Sequence, residues 1–106
     1  MFDYAEADRV IEMAKDLIRP DVIILFGSVA KGTADDDSDV DLILVKESDE
    51  HRLIRGAKAM IALEDSNIPI DIIVYTPEEF DKERSNRYSL VSEAIDTGRV
   101  VYGSIQ

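Results

Sequence analysis

Apolar and small residues at Tyr4, Ala7, Val10, Ile11, Ala14, Leu17 and Ile18 recur at helical spacing and predict an amphipathic helix that Pro20 ends. The pattern then changes to short unbroken apolar runs. "DVIILFG" reads as a buried strand stopped by Gly27, and "DVDLILV" as a second strand with acids only at its start. Helical spacing returns from about Glu50 to Asp65, where Leu53, Ile54, Ala57, Met60 and Ile61 share one face. "IPIDIIVY" predicts a third strand. "TPEEF" then opens a helix, with Thr76 as N-cap and Pro77 at the first helical position. A last helix around Tyr88 to Asp96 ends at Gly98, and "VVY" adds a short strand. Met13 and Met60, on apolar helix faces, are expected in the core.

The order α-β-β-α-β-α(-α) describes a small α/β or α+β domain. A helix joins the second and third strands, so they are expected to be parallel neighbours through a right-handed crossover. The first and second are separated by a loop of weak helical character and are expected to be antiparallel. A mixed sheet flanked by helices follows. At 106 residues the chain is expected to form one domain, residues 1–106.

Composition narrows the chemistry. With no Cys, disulfides and thiolate metal sites are excluded. The acidic N-terminal segment is no signal peptide, and no run is long enough to span a membrane, so a cytoplasmic protein is expected. The formal charge of −11 argues against a grip on long stretches of phosphate backbone, and favours a basic partner or a bound metal.

The segment "GSVAKGTADDDSDVD" concentrates acids at a strand edge. Asp39 and Asp41, two apart at the start of the second strand, point to one face of the sheet. Asp71, near the start of the parallel third strand, falls at the same end and interrupts an apolar run, where it is expected to be buried. Gly27 and Ser28 arrive there from the first strand. Carboxylates about 5 Å apart repel by roughly 3 kcal/mol per pair at an effective dielectric near 20. Such acids persist when paired, protonated or metal-bound, and Lys46 stands only at the far end of the second strand. An oxygen-only ligand set suits Mg²⁺ or Mn²⁺. Asp35, Asp36 and Asp37 read instead as a solvated turn. His51, Arg84, Arg87 and Arg99 read as surface residues, and Tyr75 and Tyr102 as core or strand-edge aromatics.

Two other motifs fail. A Walker A loop needs Lys where Thr33 stands, and an EF-hand loop from Asp35 needs Gly and Glu where Val40 and Lys46 stand.

Gly27-Ser28, then Asp39-x-Asp41, then Asp71 on the next strand resembles the signature of the DNA polymerase β-like nucleotidyltransferases. Short length and "FGSVAKGTADDDSDVDLILV" look most like the minimal nucleotidyltransferases, the MntA-type antitoxins paired with HEPN-domain toxins. The resemblance implies a palm-like core in which Asp39, Asp41 and Asp71 are catalytic and hold two Mg²⁺ ions. It also implies that Gly27, Ser28 and Lys31 contact the triphosphate of ATP. Relatives often carry basic residues after the GS; here Val29 replaces the first and Lys31 alone keeps a charge. The implied activity is transfer of AMP to a hydroxyl, such as a tyrosine of a HEPN toxin, within a homo- or hetero-oligomer. Two readings stand beside it: an antitoxin that neutralises a basic partner by contact alone, and a nucleotidyltransferase acting on a small molecule.

Overall fold

The computed structural model describes all 106 residues, Met1–Gln106. Its elements run α1 (Tyr4–Ile18), β1 (Val22–Phe26), α2 (Gly27–Lys31), β2 (Val40–Val45), α3 (Arg52–Ala62), β3 (Ile70–Tyr75), α4 (Pro77–Arg84), α5 (Leu90–Thr97) and β4 (Arg99–Tyr102). Asp3 caps α1 by accepting from the Glu6 N–H, and Arg19 closes it in the left-handed region at φ 58°. At α4, Thr76 and Glu79 form the reciprocal capping box, with Pro77 in the first turn.

The four strands form a mixed sheet in the order β3-β2-β1-β4. β1 is antiparallel to β2 and to β4, and β2 is parallel to β3 through the crossover that contains α3. β1 and β2 lie inside the sheet and are covered on both faces, which explains the apolar runs Val22–Phe26 and Leu42–Val45. On one face, Ile23, Leu25, Leu42 and Leu44 pack with Val10, Ala14, Ala59 and Leu63 from α1, α3 and the residue after it. On the other, Ile24, Ile43 and Val45 meet Phe80 of α4 and Val91 and Ala94 of α5.

Two features depart from the sequence expectation. The loop of weak helical character contains α2, a five-residue helix too short to register as a period, closed by Gly32 at φ 73°. More consequentially, the apolar face of α3 is turned outward. Leu53, Ile54, Ala57, Met60 and Ile61 are exposed, while Arg55 and Ala59 are the residues that α3 buries. Met60 is therefore not a core residue, whereas Met13 is half-buried against the core. The inward face is tolerated because the buried Arg55 guanidinium makes a bidentate contact with Glu79, at 2.7 and 3.0 Å.

That pair makes stability depend on pH. Arg55, followed by the Thr76 backbone N–H, holds the Glu79 carboxyl down at about 2 against burial. A folded value below the ordinary 4.5 stabilises fully above that pH, and the contribution is lost as pH falls toward 2. Glu79→Gln leaves Arg55 buried without its counter-charge. Because Glu79 is itself partly exposed, the expected loss is about 1–2 kcal/mol at neutral pH, shrinking as the solution is acidified. Thermal melts of both proteins from neutral to acidic pH check this.

Candidate active site

β1 and β2 run in opposite directions, so the end of β1 and the beginning of β2 occupy the same sheet edge, with Phe26 opposite Asp41. The parallel register of β2 and β3 then places Asp41 directly beside Asp71. Paired residues on adjacent strands share a face, so the two carboxylates project together. Asp39 lies one residue before β2, exposed, at the same edge.

The chain turns sharply at Gly27, whose φ of 75° is in the left-handed region that glycine alone adopts cheaply. A side chain there would also overlap Oδ2 of Asp41. The missing Cβ of Gly27 is thus the space in which the Asp41 carboxylate sits. Ser28, in the first turn of α2, donates from Oγ to Ser38 Oγ at 3.1 Å, and Ser38 Oγ accepts from the Asp35 N–H at 2.9 Å. The serine pair ties α2 to the acidic loop. Ser38 was not singled out in the sequence, although its place three residues after Asp35 is a local side-chain-to-backbone signal. Asp35 folds its own loop by accepting from the Asp37 N–H at 2.9 Å. Lys31, in the last turn of α2, is exposed.

Electrostatically, Asp41 stands apart. Burial first, then Asp71, then Asp39 push its carboxyl above the ordinary aspartate value. No lysine or arginine lies within ion-pair distance of Asp39, Asp41 or Asp71. The expectation of a buried Asp71 is corrected: Asp71 is exposed, because β3 is an edge strand, and Asp41 is the half-buried member. Nor do the acids form a closed cage, since no group of three or more His, Cys, Asp or Glu side chains is placed to hold an ion. Mg²⁺ is commonly held by one or two carboxylates together with waters and substrate phosphates, so a preformed cage is not required of such a site. Hard oxygen donors without a counter-cation, and a Gly27 cradle that a Cβ would fill, fit a divalent cation in kind.

A family model described as nucleotidyltransferase domain matches residues 7–97. The chain belongs to the nucleotidyltransferase domain family. Two solved structures share its fold. One, described as a toxin-antitoxin with AMP-PNP, is 22% identical, with a TM-score of 0.59, covering 92% of this chain and 73% of that one. The other is described as the toxin-antitoxin MntA-HpeT, in a mutant with two Asp-to-Glu changes. It is 17% identical at a TM-score of 0.53, with coverage of 92% and 73%. A stretch of 71 residues, 64% of this chain, is 34% identical to DNA primase DnaG of Archaeoglobus fulgidus. The chain spans 18% of that primase. Within this nucleotidyltransferase domain, no helix is long and apolar enough to cross a membrane.

Proposed function

We propose that this nucleotidyltransferase domain transfers AMP from ATP to a hydroxyl, a tyrosine of a HEPN-type toxin, and acts as the antitoxin of the pair. The observation that carries the reading is the in-register pairing of Asp41 with Asp71 over the Gly27 turn, in a family defined by nucleotidyl transfer. The toxin-antitoxin character of the two structural neighbours supports the choice of partner.

In this reading Asp39, Asp41 and Asp71 would hold Mg²⁺, or Mn²⁺ in its place. The bound ions would supply charge neutralisation at the α-phosphate and at the leaving pyrophosphate. Gly27 makes the turn that lets Asp41 and the backbone face the triphosphate together, Ser28 and Lys31 contact its oxygens, and Ser28 is held in place by Ser38. Asp71, exposed at the sheet edge, accepts the proton of the incoming hydroxyl. The hydroxyl oxygen bonds to the α-phosphorus, the bond to the bridging oxygen breaks, and pyrophosphate departs with that electron pair.

The test is to copurify the chain with the partner it captures and add ATP labelled at the α-phosphate, with Mg²⁺ or with EDTA. Label on a tyrosine of the partner, only with the metal, is expected. A partner neutralised equally well without ATP would reduce the chain to a contact antitoxin. Label on a small molecule would replace the acceptor.

A further inference from the structure

Ser28, Ser38 and Asp35 form a hydrogen-bonded chain between α2 and the loop before β2. Ser38 is half-buried, and its Oγ accepts from the Asp35 N–H at 2.9 Å and from the Ser28 hydroxyl at 3.1 Å. The Ser38 hydroxyl donates in turn to Asp35 Oδ1 at 3.3 Å. A serine hydroxyl carries one hydrogen, so Ser38 can donate to Asp35 or to Ser28 and not to both. The carboxylate is the stronger acceptor, which sets the direction Ser28 to Ser38 to Asp35. In that direction the one hydroxyl hydrogen of Ser28 is spent on Ser38. Ser28 Oγ is left with lone pairs, which repel the oxygens of a phosphate.

We propose that Ser38 is a positioning residue for the nucleotide, and that Asp35 and the triphosphate compete for its hydrogen. The proposal rests on the reading of Ser28 as a triphosphate contact. To donate to a phosphate oxygen, Ser28 turns its hydrogen away from Ser38. Ser38 then turns its own hydrogen from Asp35 to Ser28 Oγ, which fixes the Ser28 hydroxyl and polarises the bond it donates. The backbone need not move. The bond from the Ser38 N–H to the Asp35 carbonyl, at 3.1 Å, and that from the Asp35 N–H to Ser38 Oγ involve neither hydroxyl hydrogen. Asp35 Oδ1 keeps the Asp37 N–H, and water replaces Ser38 there because Asp35 is exposed. Nucleotide binding thus surrenders one charge-assisted hydrogen bond inside the loop.

This exchange separates Asp35 from its acidic neighbours. Asp36 pairs with the N-terminal amine, and Asp37 joins the loop through its backbone N–H. All three acids act on a triphosphate through their charge. Asp35 alone also holds the hydrogen that Ser28 needs.

Calorimetric titration of the purified chain with Mg²⁺-ATP tests this through Asp35→Asn, which keeps an acceptor at Oδ1 but makes it neutral. Tighter binding is expected from the lost charge, with a further ~3-fold from the weaker hold on Ser38, the scale separating charged from neutral hydrogen bonds. The charge effect persists in any background. The further ~3-fold is expected to vanish in a Ser38→Ala background, and again in a Ser28→Ala background where Ser38 has no reason to turn. Asp37→Asn, the charge control, is expected to act equally in all three. Circular dichroism checks that each variant is folded, and the Ser28→Ala background decides the outcome if Ser38→Ala is not. Equal effects of Asp35→Asn in every background would reduce Asp35 to its charge and overturn the proposal. Ser28→Ala with unchanged affinity for Mg²⁺-ATP would instead overturn the reading of Ser28 as a phosphate contact, and the proposal with it.

Discussion

Asp41→Asn is expected to melt at the same temperature as the wild-type protein or higher when metal is absent, and lower when Mg²⁺ and ATP are present. The sign follows from the direction of the Asp41 shift. Burial and the neighbouring acids raise its folded value, so the ionised carboxylate costs stability at neutral pH. That cost is absent below the ordinary aspartate range and complete once pH exceeds the raised value. Asparagine removes it while keeping the side-chain shape, so the advantage of the variant should vanish in acid. With Mg²⁺-ATP the wild type gains ligand stabilisation that grows as RT ln(1 + [L]/Kd), and the variant forfeits most of it. Transfer should fall at least ~10³-fold, the equivalent of several kcal/mol of lost charge stabilisation in the transition state. Melts of both proteins in EDTA and in Mg²⁺-ATP, over a range of pH, measure all of this. A structural aspartate would give the opposite metal-free result, because its loss would lower the melting temperature.

The central strands were legible because two-sided burial leaves them almost no polar positions, so Val22–Phe26 and Leu42–Val45 read as apolar blocks, with Asp41 the one acid inside β2. Their directions followed from the connections: a helix between β2 and β3, only a short segment between β1 and β2. α4 was legible through its cap, since Thr76 and Pro77 are local signals that need no tertiary context. α3 was misread for a physical reason. An apolar stripe reports that a helix face avoids water, not which surface covers it. Here the inward face is Arg55 and Ala59, made tolerable by Glu79, which lies 24 residues away in sequence and on another helix. No periodicity along α3 contains that information.

At the sheet edge, sequence reasoning brought Asp39, Asp41 and Asp71 together through strand direction alone, and the register of β2 and β3 gives Asp41 and Asp71 as direct neighbours. Relative depth was not accessible in the same way. An acid inside an apolar run looks buried, but the order β3-β2-β1-β4 makes β3 an edge, and strand order depends on contacts among all four strands. The position of Asp41 against Gly27 was hidden as well, since it joins a turn conformation to a side chain 14 positions away.

That contact gives the second large effect. Gly27→Ala carries two costs: the left-handed backbone, about 1–2 kcal/mol for an L-residue, and the overlap of its methyl group with the Asp41 carboxylate. Gly32→Ala separates them. Gly32 has almost the same φ, 73°, but nothing lies within 4 Å of its Cβ position, so this variant reports the backbone cost alone. Gly27→Ala should therefore be the more destabilising of the two, and its melting temperature should fall by roughly 4–8 °C for each kcal/mol lost. It should also lose transfer activity, since the methyl group displaces Asp41 and occupies the space over the turn. The coupling can be isolated in an Asp41→Ala background, where the carboxylate is gone and only Cβ, at an ordinary 3.5 Å, would face the new methyl. There the cost of Gly27→Ala should drop to that of Gly32→Ala. Equal costs of Gly27→Ala in both backgrounds would mean that the glycine serves the turn and not the carboxylate.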